Sequence, residues 1–148
     1  MAAPDRTSKK RSAANSGSTP PDIAHVFFID RSLGQKIIAG KLRQSGVHVE
    51  IHDDHFPQNA LDEDWLLEVG KREWIVLTKD DRIRYRPAAL EAYRRNNVRV
   101  FIFGSGGMKA QEMADAFVKA LPKILRFARN KSAPFFARIS RAGLVSSL

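Results

Sequence analysis

At 148 residues the chain has room for one domain and its tails, and a hydrophobic content of 43% is enough for a core. It has no cysteine, which excludes disulfides, thiolate zinc sites and a cysteine nucleophile and fits a reducing, cytoplasmic location. With 25 Lys+Arg against 16 Asp+Glu, the net charge of +9 favours polyanionic partners, chiefly nucleic acid.

Residues 1–22 are rich in Ser, Ala, Pro, Lys and Arg and cannot bury enough apolar surface to fold, so a disordered basic tail is expected there. The segment holds no apolar stretch of the kind a secretory signal needs, and nowhere does the chain approach the roughly 18 apolar residues of a membrane span. A folded domain is expected over 23–130, followed by an extension over 131–148.

Val26-Phe27-Phe28-Ile29 is a continuous apolar run ending in Asp30, the pattern of a strand buried on both faces. Leu33, Ile37, Ile38 and Leu42 recur at helical spacing, and Gly46 stops that helix. Val47 to Ile51 alternates as a strand, and a polar loop is expected over Asp53 to Asn59. Leu61, Trp65, Leu66 and Val69 mark a second helix, with Asp62, Glu63 and Asp64 in its first turn, where negative charge suits the helix dipole. Trp74-Ile75-Val76-Leu77 reads as a third strand, running into Thr78-Lys79-Asp80-Asp81.

A helix from Pro87 to about Asn96 leads to a fourth strand, Val98 to Phe103, and Gly104-Ser105-Gly106-Gly107 turns the chain. A longer helix starts near Met108, which Pro122 is expected to kink or divide. Phe135 to Ile139 suggests a late edge strand before a flexible end. Strands alternating with amphipathic helices predict an α/β fold, a three-layer α/β/α sandwich with a mainly parallel central sheet.

Ligands of such sheets bind outside the carboxyl ends of the strands, and acids recur at that edge: Asp30, then Asp53 and Asp54, then Asp80 and Asp81. Asp62, Glu63 and Asp64 open the helix before the third strand. Like charges gathered at one place repel, and a hard divalent cation with oxygen ligands removes the conflict. Such an ion polarises a phosphate and activates a water. Arg31, Lys36, Lys79, Arg82, Arg84 and Arg86 are candidates for a basic rim that binds nucleic acid. Each acid also has a structural reading, as a helix cap, a first-turn residue or a turn residue, and the sequence leaves open which of them converge.

Other chemistries have weaker signals. His48, His52 and His55 lie on no common helical face and lack a second ligand group at zinc spacing. The glycines after the fourth strand lack the spacing of a nucleotide-binding loop, and Ser32 has no evident base partner. Trp65, Trp74 and Phe117 occupy core-like positions rather than base-stacking ones.

Taken together, the segments resemble PIN-like domains, in the short branch related to VapC-type toxins. The resemblance spans roughly residues 25–128. It rests on Phe27-Phe28-Ile29-Asp30, Gly46-Val47-His48-Val49, His52-Asp53-Asp54, Asp62-Glu63-Asp64-Trp65-Leu66 and Trp74 through Asp80. It implies a metal-dependent endoribonuclease using Mg²⁺ or Mn²⁺, often the toxin of a toxin–antitoxin pair, with RNA as substrate, an antitoxin as partner and a homodimer as the common assembly.

By the same resemblance Asp30, Asp62 and Asp80 are the catalytic acids, with Glu63 or Asp64 as near substitutes for Asp62 and Asp81 beside Asp80, and the metal set extends to Asp64 and Asp81. The chain departs from longer members of the family, which carry a further acid after the fourth strand where this one has Phe103-Gly104-Ser105-Gly106-Gly107. A catalytically inactive PIN-like module that binds nucleic acid or protein is the alternative. A phosphorylated receiver domain is disfavoured because its acidic pair and single aspartate would be reversed here, and an Asp-x-Asp phosphohydrolase because Arg31-Ser32 follows Asp30.

Overall fold

The computed structural model describes residues 25–33, 36–104 and 107–148; the expected basic tail lies outside them. Six strands form one sheet: β1 (Val26–Ile29), β2 (His48–Ile51), β3 (Ile75–Thr78), β4 (Arg99–Phe103), β5 (Phe135–Ile139) and β6 (Val145–Ser147). Their spatial order is β2-β1-β3-β4-β5-β6. The first five are parallel and only β6 runs antiparallel, against β5. This is the α/β architecture with a mainly parallel sheet that the strand–helix alternation predicts.

Helices cover both faces. They are α1 (Ile37–Gln44), the single turn α2 (His52–His55), α3 (Asp62–Arg72), α4 (Pro87–Arg95) and α5 (Ala110–Asn130), with 3₁₀ turns at Arg31–Leu33 and Asp81–Tyr85. Successive strand residues point to opposite faces. Phe27, Ile29, Ile75, Leu77, Phe101 and Phe103 therefore pack with α1 and α5. Phe28, Val76, Val100 and Ile102 pack with α3 and α4. Two apolar layers on one sheet explain the unbroken apolar runs at Val26–Ile29, Ile75–Leu77 and Val100–Phe103.

The second layer is aromatic. Phe28 stacks on Trp65 at 5.5 Å and on Trp74 at 5.8 Å, and Phe27 meets Phe117 edge-on at 5.1 Å in the other layer. The two tryptophans and Phe117 are packing residues. Gly46 adopts φ +93° after α1, the left-handed conformation a helix-ending glycine supplies without strain.

Three expectations of local structure need correction. Asp53 and Asp54 lie in α2, not in an open loop; the polar segment has only one turn of helix before Phe56. Pro122 does not divide the last helix, which runs unbroken from Ala110 to Asn130. The buried positions Phe117, Ala120, Ile124 and Leu125 on either side of it continue one apolar face against the sheet, so tertiary packing outweighs the lost backbone hydrogen bond. Phe135 to Ile139 is a strand but not the edge one, because β6 pairs outside it.

His52 is 1% exposed and rings with Phe28, Phe56 and Trp65, its Nδ1 3.3 Å from the Asp53 carboxylate and its Nε2 without a hydrogen-bond partner. Burial holds its pKa below the ordinary 6.5, against the opposing pull of Asp53. The fold therefore favours neutral His52. Its stability contribution is complete above pH 6.5 and is lost as pH falls from there through the lowered folded value. His52→Phe should flatten the loss of stability between about pH 6.5 and pH 5, read by urea denaturation at each pH; an unchanged pH slope would show that another group carries it.

Candidate active site

The strand order reverses beside β1, since β2 lies on one side of it and β3 on the other. This is the switch point where parallel sheets of this order open a crevice at their carboxyl edge. Asp30 leaves the end of β1 and Asp80 follows the end of β3, so topology alone places both at that crevice. Asp62 reaches it from the first turn of α3. Asp30, Asp62 and Asp80 line one cavity of about 390 Å³, together with Arg31, Ser32 and Arg86.

Asp30 is 8% exposed. Its Oδ1 accepts hydrogen bonds from the Ser32 amide at 2.9 Å and hydroxyl at 2.5 Å, and its Oδ2 accepts from the Thr78 hydroxyl at 2.6 Å. Ser32 Oγ also accepts from the Lys79 amide, and Thr78 Oγ1 from the Asp80 amide. The two hydroxyls thus tie the ends of β1 and β3 together and fix the carboxylate's orientation. Burial nevertheless raises the Asp30 pKa above its ordinary 3.8, outweighing the hydrogen bonds from Ser32 and Thr78 that favour the charged form.

Asp62 receives Trp65 Nε1 at 3.1 Å and Arg31 at 3.4 Å. Arg86 spans the site, one guanidinium nitrogen on Asp62 and the other on Asp80. Arg82 adds a backbone and a side-chain hydrogen bond to Asp80, at 3.1 and 3.0 Å. Burial pushes the Asp80 carboxyl up, but the hydrogen bonds from Arg82 and Arg86 outweigh it and hold its pKa below 3.8.

The remaining candidates divide. Asp64 is exposed on α3 and lines neither this cavity nor its neighbour, and Asp81 turns to the adjoining cavity, paired with Arg84 at 2.9 Å. Of the basic residues, Arg31 donates to Asp62 and to the Ala60 carbonyl, so it braces the start of α3. Arg84 donates to the Tyr85 hydroxyl and lies over the Tyr85 ring, 4.9 Å from its centroid. Lys36 and Lys79 are exposed, and the Arg82 side chain is 84% exposed. His48 and His55 share Glu50, at 2.5 and 2.7 Å, rather than converging with His52.

Among the described residues no three acidic or histidine side chains stand close enough together to share one metal ion. The donor set still suits a hard cation: it is all oxygen, from three carboxylates. A positive group already lies between two of them, the guanidinium of Arg86. A divalent ion at that place would have to displace it.

Sequence reasoning missed the bridging role of Arg86, the two hydroxyls that orient Asp30, and Arg138 of β5, whose guanidinium donates to the Gly104 carbonyl at 3.1 Å. Ser32 and Thr78 did carry a signal, each standing two residues from an acid: Ser32 after Asp30 and Thr78 before Asp80.

A parallel α/β sheet with carboxylates drawn from three distant segments to its switch point defines the class: an α/β protein with an acidic crevice at the strands' carboxyl edge. Within that class, residues 25–105 match the PIN-like domain family, more than half of the chain, and the protein belongs to it. It is 27% identical over 112 residues to a Mycobacterium tuberculosis protein named "Putative ribonuclease VapC45", an alignment covering 73% of this chain and 80% of that one. No solved structure matches the chain.

Proposed function

We propose that the protein is a metal-dependent endoribonuclease, the toxin of a toxin–antitoxin pair, acting on RNA with Mg²⁺ or Mn²⁺. The observation that carries this reading is the meeting of Asp30, Asp62 and Asp80 in one cavity at the sheet's switch point. Family membership and the similarity to a protein named as a ribonuclease support it. Asp30, Asp62 and Asp80 would hold the ion once Arg86 releases Asp62 and Asp80 and the three carboxylates draw together; Asp64 and Asp81 line no part of that cavity. Once bound, the ion would polarise a phosphate and activate a water.

The chain's own groups do the rest. Ser32 and Thr78 hold Asp30 at a fixed angle. Lys79 and Arg82 stand exposed beside the acids and draw the phosphate backbone toward them. Among the described residues no helix is long and apolar enough to cross a membrane. A cognate antitoxin would be the protein partner, and a homodimer the assembly.

The second reading is a binding module without turnover. It is favoured by Arg86, which neutralises Asp62 and Asp80 from within. Incubating end-labelled single-stranded RNA with Mn²⁺ or with chelator separates the two. Products that form with Mn²⁺ and vanish with chelator bear out the nuclease; RNA binding of steep salt dependence, without products under either condition, leaves the module.

A further inference from the structure

A second cavity, about 620 Å³, continues from the acidic one, and Ser32, Asp80 and Arg82 line both. It is of a different character. Asp80 and Asp81 line it, but so do three cations from two distant segments, Lys79 and Arg82 after β3 and Arg138 on β5, while the largely buried Phe103, Met108 and Met113 give it an apolar side. Its volume falls within the roughly 300–1,000 Å³ of small-ligand sites, which combine an apolar wall with a few placed polar groups.

Arg138 is the built element of this cavity. β5 pairs with β4 so that Arg138 stands beside Ile102, and its side chain runs on across Gly104. A Cβ at position 104 would collide with the Arg138 side chain, so glycine is what lets the arginine lie there. The guanidinium donates to the Gly104 carbonyl and sits 3.9 Å from Asp81, at 30% side-chain exposure. Neither contact is a close two-pronged ion pair, so the planar fork keeps donors for an anion. Arg82 and Arg86 differ, because each is committed to Asp80.

We propose that this cavity is a subsite for one nucleotide of the RNA strand next to the cleaved bond. Arg138 grips its phosphate, and Met108, Met113 and Phe103 face its base. Arginine binds phosphate through paired N–H donors, and methionine sulfur and aromatic faces accept a base without demanding its identity. The assignment rests on the nuclease reading for its choice of RNA. It makes Arg138, which lies outside the matched family region, a substrate-positioning residue.

Binding measured in chelator tests it apart from cleavage. A short single-stranded RNA and a nucleoside 5′-monophosphate are titrated against the full chain by fluorescence anisotropy and calorimetry. Arg138→Gln should weaken RNA binding about tenfold and lower the salt slope by about one. Arg138→Lys should recover part of the loss. Gly104→Ala, which keeps the charge but pushes the Arg138 side chain aside, should weaken binding too, and it answers the question if the Gln variant fails to fold.

The nucleoside monophosphate should bind the parent more tightly than inorganic phosphate does. Equal binding of the two overturns the nucleoside part, and parental RNA affinity in Arg138→Gln overturns the whole. A parent that binds RNA but never cuts it with Mn²⁺ sinks the nuclease reading and leaves the subsite standing. A parent that cuts, beside an Arg138→Gln protein that binds RNA as the parent does, sinks the subsite alone.

Discussion

Asp30→Asn is expected to reduce metal-dependent RNA cleavage by at least about 100-fold, while the metal-free protein melts at the same temperature or higher. Asparagine keeps the shape of the side chain and an oxygen to accept from Ser32, but loses the charge a divalent ion needs. The stability half follows from the sign of the Asp30 shift. Burial raises its folded pKa above 3.8, so the fold prefers the protonated acid. Relative to low pH, stability is lost as pH rises from 3.8 through the raised folded value.

Asparagine is never charged, so the variant should lack that loss. Calorimetry in chelator from about pH 4 to pH 8 should show the two proteins diverging as pH rises. Cleavage assays in Mn²⁺ supply the other readout. An Asn protein that cuts like its parent would remove Asp30 from the chemistry. One that cuts poorly and also melts well below the parent at every pH would make Asp30 a structural residue.

How much of this was legible in the sequence varies by residue. Four apolar residues followed by aspartate, at β1, announce a buried strand with an acid at its carboxyl end, and Asp30 is there. Asp80, after a run of the same kind, was equally readable. Asp62 and Asp64 could have been told apart on helix geometry. Asp62 stands three and four residues before Trp65 and Leu66, which are buried, and so shares their face. Asp64 stands three before Leu67, which is 48% exposed.

What no local pattern carries is the side-by-side pairing of β4 and β5 across the length of α5. That pairing lays Arg138 over Gly104, while β6, pairing outside β5, moves Phe135–Ile139 from the expected sheet edge to the interior. Asp81 misled for a related reason. Adjacency to Asp80 in the chain suggested a shared ligand role, yet the 3₁₀ turn starting at Asp81 sends its carboxylate away to Arg84.

Arg86→Ala should tighten Mn²⁺ binding about tenfold and at the same time destabilise the metal-free protein. The guanidinium bridges Asp62 and Asp80, whose side chains are 14% and 21% exposed. An ion entering between them would first have to release it, which would reduce the apparent metal affinity by the free energy of that bridge. Without metal, the variant leaves two partly buried carboxylates near Asp30 with one fewer cation. The cost is well below that of a fully buried pair because Arg86 is 40% exposed; about 1–2 kcal/mol is expected, or roughly 3–6 °C in melting temperature.

Saturating Mn²⁺ should restore the melting temperature of the variant by more than it raises that of the parent, since the ion then supplies the missing charge. Calorimetric titration with Mn²⁺ and melting curves with and without chelator read both effects on one preparation. Unchanged Mn²⁺ affinity in Arg86→Ala would mean that the guanidinium and the ion do not compete. Weaker affinity would make Arg86 part of the scaffold that holds the acids in place.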